Sequence, residues 1–271
     1  MIRVKYIIPD KLSDTHINSG LPDILRQGFS SSGAILVVDK HPQVVHVFGV
    51  WNNKYAAFVK RQRRKGLPVV FTSIDGLAPL LNAKGGRIND IARTSAIKRI
   101  CSSSNIVHVC GNIEKSLLES VSKDVQTKII LNSEFTSLTD AESLVNGFKE
   151  TYMSVYEQNK AFIKDSIKAV TSAATNDKTI VDICSCLMYI KKLYISGCIP
   201  QSVLYDTATM IITHDYDEAE MANVLKKLGM FKFSSFCMSF LEDHTPLTEG
   251  FMPIPAAKGN INERMQNMVT E

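Results

Sequence analysis

The sequence predicts an α/β fold: a parallel sheet of about five strands with helices on both faces, followed by an all-α domain. Two observations predict it. Short β-rich runs alternate with helical patterns through the first half, and from about residue 137 only helical periodicity remains. The charge also divides between the halves. Residues 1–135 hold 19 Lys and Arg against 10 Asp and Glu, whereas residues 136–271 hold 12 against 17. The expected divisions are therefore a sheet domain over 1–135, a helical domain over 136–246 and an irregular carboxyl-terminal arm over 247–271.

The amino-terminal run Met1-Ile-Arg-Val-Lys-Tyr-Ile-Ile-Pro9 is too short and too charged for a signal peptide and reads as the first strand. A loop with Gly20 follows, and Ser30-Ser31-Ser32 is suited to cap a helix running to about Lys40, stopped by His41-Pro42. Val44–Phe48 is the second strand, closed by Gly49; residues 52–65 then carry Tyr55, Phe58 and Val59 at helical spacing and end at Gly66. Pro68–Thr72 is the third strand. A helix over about 89–101, a strand over 105–110, a helix over 112–122 and a strand over 127–131 complete the alternation, which implies βαβ units.

Thr139-Asp-Ala-Glu142 matches a capping box and starts a long helix. Further helices are expected near 177–196, 200–213, 216–228 and 230–242, with Gly197, Pro200 and Gly229 as breaks. The prolines and glycines after Leu247 give the irregular arm. No run of about 18 apolar residues occurs, so a spanning helix is not expected, and the cytoplasm is the expected location. The six cysteines form no C-x-x-C pair and read as buried thiols; neither a metal nor a cofactor is expected.

Ligands of open parallel sheets bind at the carboxyl ends of the strands. That criterion selects the loops at 9–20, 49–53, 73–81 and 111–112, and with them Gly20, Gly49, Asn52, Gly76 and Asn112 as candidate binding residues. His46 lies near the cleft end of its strand and reads as a packed histidine or a ligand contact. Trp51 suits either stacking on a sugar ring or packing beneath the following helix. Asn52 is a helix cap first and a ligand contact second. The basic run Lys60-Arg61-Gln62-Arg63-Arg64-Lys65 is either a solvated helix end or a docking patch for anions, including an anionic membrane surface. Nucleic acid is not an expected partner, because aromatic residues are not interleaved with the charge.

The runs Pro42-Gln-Val-Val-His-Val-Phe-Gly-Val-Trp-Asn52 and Lys65-Gly-Leu-Pro-Val-Val-Phe-Thr-Ser-Ile-Asp-Gly-Leu-Ala-Pro79 resemble the amino-terminal, Rossmann-like domain of family 4 glycosyltransferases. The resemblance covers roughly residues 30–135. It implies a GT-B type transferase half that binds a nucleotide sugar or a glycan acceptor, lipid-linked acceptors included. The protein would then sit in the cytoplasm or peripherally on the inner face of the membrane. Asp75 stands where the family usually has a histidine, and the resemblance makes it the candidate base. The family's second sugar-nucleotide domain is missing, which implies completion by a partner chain or a homodimer. The alternative is a non-catalytic relative that binds a sugar, nucleotide or protein, with the helical domain mediating assembly.

Overall fold

The structure is a computed structural model that describes residues 1–9, 20–74, 87–123, 125–130 and 138–270. The chain divides into two compact units, Met1–Asn159 and Lys160–Glu271.

Among the described residues of the first unit, six strands form one sheet: β1 (Ile2–Ile7), β2 (Ile35–Val37), β3 (Val44–Gly49), β4 (Val69–Ser73), β5 (Ile106–Val109) and β6 (Thr127–Ile129). Their order is β2-β1-β3-β4-β5-β6, and every neighbouring pair is parallel. The α/β class is as the alternation predicts. Intervening helices are α1 (Leu21–Ser32), α2 (Asn53–Arg64), α3 (Arg87–Ser103) and α4 (Asn112–Val121), and α5 (Leu138–Ser172) follows β6.

Two stretches differ from expectation. The serine run closes a helix instead of opening one: Ser30 donates from Oγ to the carbonyl of Gln27 inside α1, and Gly33, at φ +62°, ends α1 in the left-handed conformation. The residues that follow are the short strand β2, whose Ile35 pairs with Ile2. The unit boundary also falls within α5, beyond residue 135. Leu144, Val145, Phe148, Tyr152 and Val155 of α5 are buried with Val4, Tyr6, Phe48 and Val70 of the sheet, so this helix completes one side of the core. Leu21, Leu25 and Phe29 of α1 join them on that side. The opposite side is built from Ala56 and Val59 of α2, Ile97 and Ile100 of α3 and Leu118 of α4, packed on Val45, Val47, Phe71 and Val107. The alternation along β3 thus sends Val44, His46 and Phe48 one way and Val45 and Val47 the other.

The second unit is helical: after the end of α5 come α6 (Lys178–Ser196), α7 (Gln201–Thr213), α8 (Glu218–Lys227) and α9 (Phe231–His244). Asp177 caps α6 by accepting from the Ile180 amide at 3.0 Å, and Asp217 caps α8 from Glu220 at 2.9 Å. Ile183, Leu187, Leu204, Val224, Met238 and Leu241 are among the core residues of this unit. The segment expected to be an irregular arm contains α10 (Asn260–Gln266) and a strand β8 (Val269–Thr270), which pairs in parallel with β7 (Ile199–Pro200). Leu247, Ile254 and Met265 bury into the same core, which fastens the segment down. Among the described residues no helix is long and apolar enough to cross a membrane.

Candidate functional site

The strand order reverses its direction of growth between β1 and β3, and in open α/β sheets the ligand crevice lies outside the carboxyl ends at such a point. A cleft of about 1020 Å³ begins there and extends along α2. Ile7, Ile8 and Pro9 at the end of β1 form one wall, and Tyr55, Ala57 and Phe58 of α2 contribute to the other. Five cationic side chains line the same cleft: Lys54, Lys60, Arg61 and Arg64 from α2, and Arg99 from α3.

Local sequence explains this arrangement. Asn52 takes an extended conformation and accepts from the Tyr55 amide at 3.0 Å, which starts α2 directly after β3. Positions 54, 58, 61 and 64 then recur at helical spacing and turn toward the cleft, while Ala56 and Val59 face the core. Gly49 permits the close approach of strand and helix, since a Cβ there would lie 2.6 Å from the Tyr55 ring. Arg99 is steadied by donating from Nη1 to Asn53 Oδ1 at 3.2 Å, and the Arg61 guanidinium lies 5.3 Å from the centre of the Phe58 ring. Across α2 and α3 the sequence has nine Lys and Arg and a single Asp, Asp90. This layer is far more positive than the chain's overall +4, so it focuses a field that attracts anions.

The sequence-derived candidates divide accordingly. Lys60, Arg61 and Arg64 line the cleft; Arg63, half-buried, and Lys65 lie off its lining. Burial lowers the Arg63 guanidinium from its ordinary value. Asn52 is the helix cap described above. Gly20 is exposed at the start of α1, and Asn112 is exposed at the start of α4. Trp51 is only 7% exposed, with its ring 4.9 Å from that of Phe71, so it packs beneath the helices and offers no open stacking face. Asp75 and Gly76 lie outside the described residues.

His46 is a correction. It is fully buried on the α5 side of the sheet, with both ring nitrogens engaged, so it presents nothing to a ligand. It belongs to a chain of hydrogen bonds through the core. The Ile130 carbonyl can only accept, so His108 donates to it from Nε2 at 3.0 Å and leaves Nδ1 to accept from the Thr72 hydroxyl at 3.3 Å. Thr72 in turn accepts from His46 Nε2 at 2.8 Å, and Tyr152 of α5 donates to His46 Nδ1 at 2.6 Å. Burial holds His46 well below its usual pKa, with nearby His108 adding to the effect. Burial lowers His108 as well, against the opposing influence of the Ile130 carbonyl and Glu114. Burial raises the Tyr152 phenol well above its usual value. Every member is therefore neutral and satisfied, which is what a buried polar chain requires.

Sequence reasoning missed Ile7 and Ile8 on the apolar wall and the parts played by Lys54 and Arg99. The strand order that unites them with the basic run has no signature in any single segment. Among the described residues no group of three or more His, Cys, Asp or Glu is placed to hold a metal ion. No family model matches the chain, and no curated protein or solved structure matches it.

Proposed function

We propose that Met1–Asn159 is the ligand-binding half of a glycosyltransferase-like protein, and that its switch-point cleft holds a phosphate-bearing ligand such as a nucleotide sugar or a phosphate-linked glycan acceptor. The observation that carries this reading is the gathering of five cations, from two helices, along a groove that starts beside the carboxyl ends of β1 and β3 and follows α2. Arg and Lys in that position neutralise phosphate and donate charge-assisted hydrogen bonds to its oxygens. In a transferase, a donor lobe contributed by a partner chain or a second copy would complete this half.

A specific observation favours binding over catalysis by this lobe alone. Among the described residues lining the cleft there is no Asp, Glu, His or Cys, so no carboxylate, imidazole or thiol is offered there as base or nucleophile. Asp75 is the proposed base if transfer takes place.

Calorimetric titration with UDP-glucose and with inorganic diphosphate tests the reading. Each charge-assisted bond contributes about 1.5–3 kcal/mol, so the double variant Arg61→Glu/Arg64→Glu is expected to weaken binding by about a hundredfold or more. Both side chains are exposed, so folding should be unaffected. Equal affinity in the variant and the wild type, or no binding to either probe, rejects the reading.

A further inference from the structure

We infer that the cleft selects an amphiphilic phosphate, meaning a phosphate or diphosphate whose alcohol is an apolar chain, over a phosphate carried on a bare sugar. This inference rests on the phosphate reading of the cleft given above. Sugar and ribose hydroxyls both donate and accept, and the hydrogen bonds that they donate need acceptors, chiefly carboxylates and amides. The described lining offers almost none, because Lys and Arg only donate and the Tyr55 phenol is its one side-chain oxygen.

What the lining provides besides cations is hydrocarbon. Ile7, Ile8 and Pro9 face Ala57 and Phe58 across the cleft, and Ile8 and Phe58 are half-buried, with apolar surface still open to solvent. Covering that surface with an alkyl chain removes it from water. The geometry suits such a ligand in length. Lys54 and Arg64 are ten residues apart on α2, a run of about 15 Å, far longer than one phosphate group requires. The sequence adds that the cations of this helix have no carboxylate among them, so none is neutralised within α2.

Three soluble probes share one phosphate and differ only in what it carries: inorganic phosphate, glucose 1-phosphate and decyl phosphate kept below its micellar concentration. Titrated into the full chain, decyl phosphate is expected to bind at least about tenfold more tightly than glucose 1-phosphate, the value of even a small burial of chain. Arg61→Glu/Arg64→Glu should abolish binding of all three. Ile8→Ser should lower the ratio of decyl phosphate affinity to inorganic phosphate affinity, and Phe58→Ser is read by the same ratio because Arg61 lies against that ring. Co-sedimentation with phosphatidate-containing vesicles, and not with neutral ones, would support the inference and identify the source as a lipid headgroup. Binding of decyl phosphate without co-sedimentation supports it with a free amphiphile as the source. Glucose 1-phosphate binding as tightly as decyl phosphate overturns this inference and leaves the phosphate reading standing. Failure of all three probes overturns this inference, and failure of inorganic diphosphate as well overturns the phosphate reading.

Discussion

Acidification from about pH 7 to about pH 5 is expected to destabilise the sheet unit through His46 and His108, and His46→Gln is expected to remove a large part of that dependence. Both imidazoles are neutral in the folded core, where burial is the main cause of their lowered pKa values. In the unfolded chain they titrate near the ordinary value of about 6.5. Below that pH the unfolded chain binds two protons that the folded chain excludes. Stability is therefore complete above it and falls with added acid until the folded pKa values are reached. The slope approaches about 1.4 kcal/mol per pH unit for each histidine kept neutral.

Protonation at His46 Nδ1 would reverse its bond with the Tyr152 hydroxyl and place a charge in the core between α5 and β3, where burial opposes it. Urea midpoints measured across that range for the wild type and for His46→Gln isolate the effect, because the surface carboxylates are common to both. Parallel pH profiles would show that the buried chain does not control acid stability.

Gly28→Ala is the second large expected effect. Alanine normally stabilises a helix interior by about 1 kcal/mol relative to glycine. Here the added Cβ would lie 2.3 Å from one γ-carbon of Val145 and 3.2 Å from its β-carbon, closer than side-chain atoms tolerate. Since Val145 is β-branched and held in α5, rotation cannot clear the β-carbon. Overpacking of this kind costs about 1–3 kcal/mol, so it outweighs the gain in propensity. The double variant Gly28→Ala/Val145→Ala should recover much of the loss of Gly28→Ala, measured relative to Val145→Ala alone. Strictly additive losses would mean that the two helices do not meet at this pair.

The central strands were legible in the sequence because valine-rich runs, Val44–Val47 and Val69–Phe71, stand between proline and glycine. The edge strand β2 was not. It has only three residues, and the serines before it carry the same local signal at the end of a helix as at its start. For His46 and Trp51 the sequence left packing and ligand contact both open, for a related reason, and the structure decides for packing. In a sheet covered on both faces, alternation does not say which polar or aromatic residue looks outward. The basic run was legible as charge, and Asn52 as a cap. What made the run one wall of a cleft was the crossover that brings β1 beside β3, a long-range choice recorded in pairings such as Tyr6 with His46.

The continuity of α5 sets where the sheet unit can be excised. A fragment ending at residue 135, where the change in sequence pattern suggests a cut, would discard Leu144, Phe148, Tyr152 and Val155 and uncover Val4, Phe48 and Val70. It would also take the Tyr152 hydroxyl from His46 Nδ1 and open that imidazole to water. A fragment ending at Asn159 retains all of these groups, so expression boundaries for this lobe belong partway along a helix, at a place that no glycine, proline or loop announces.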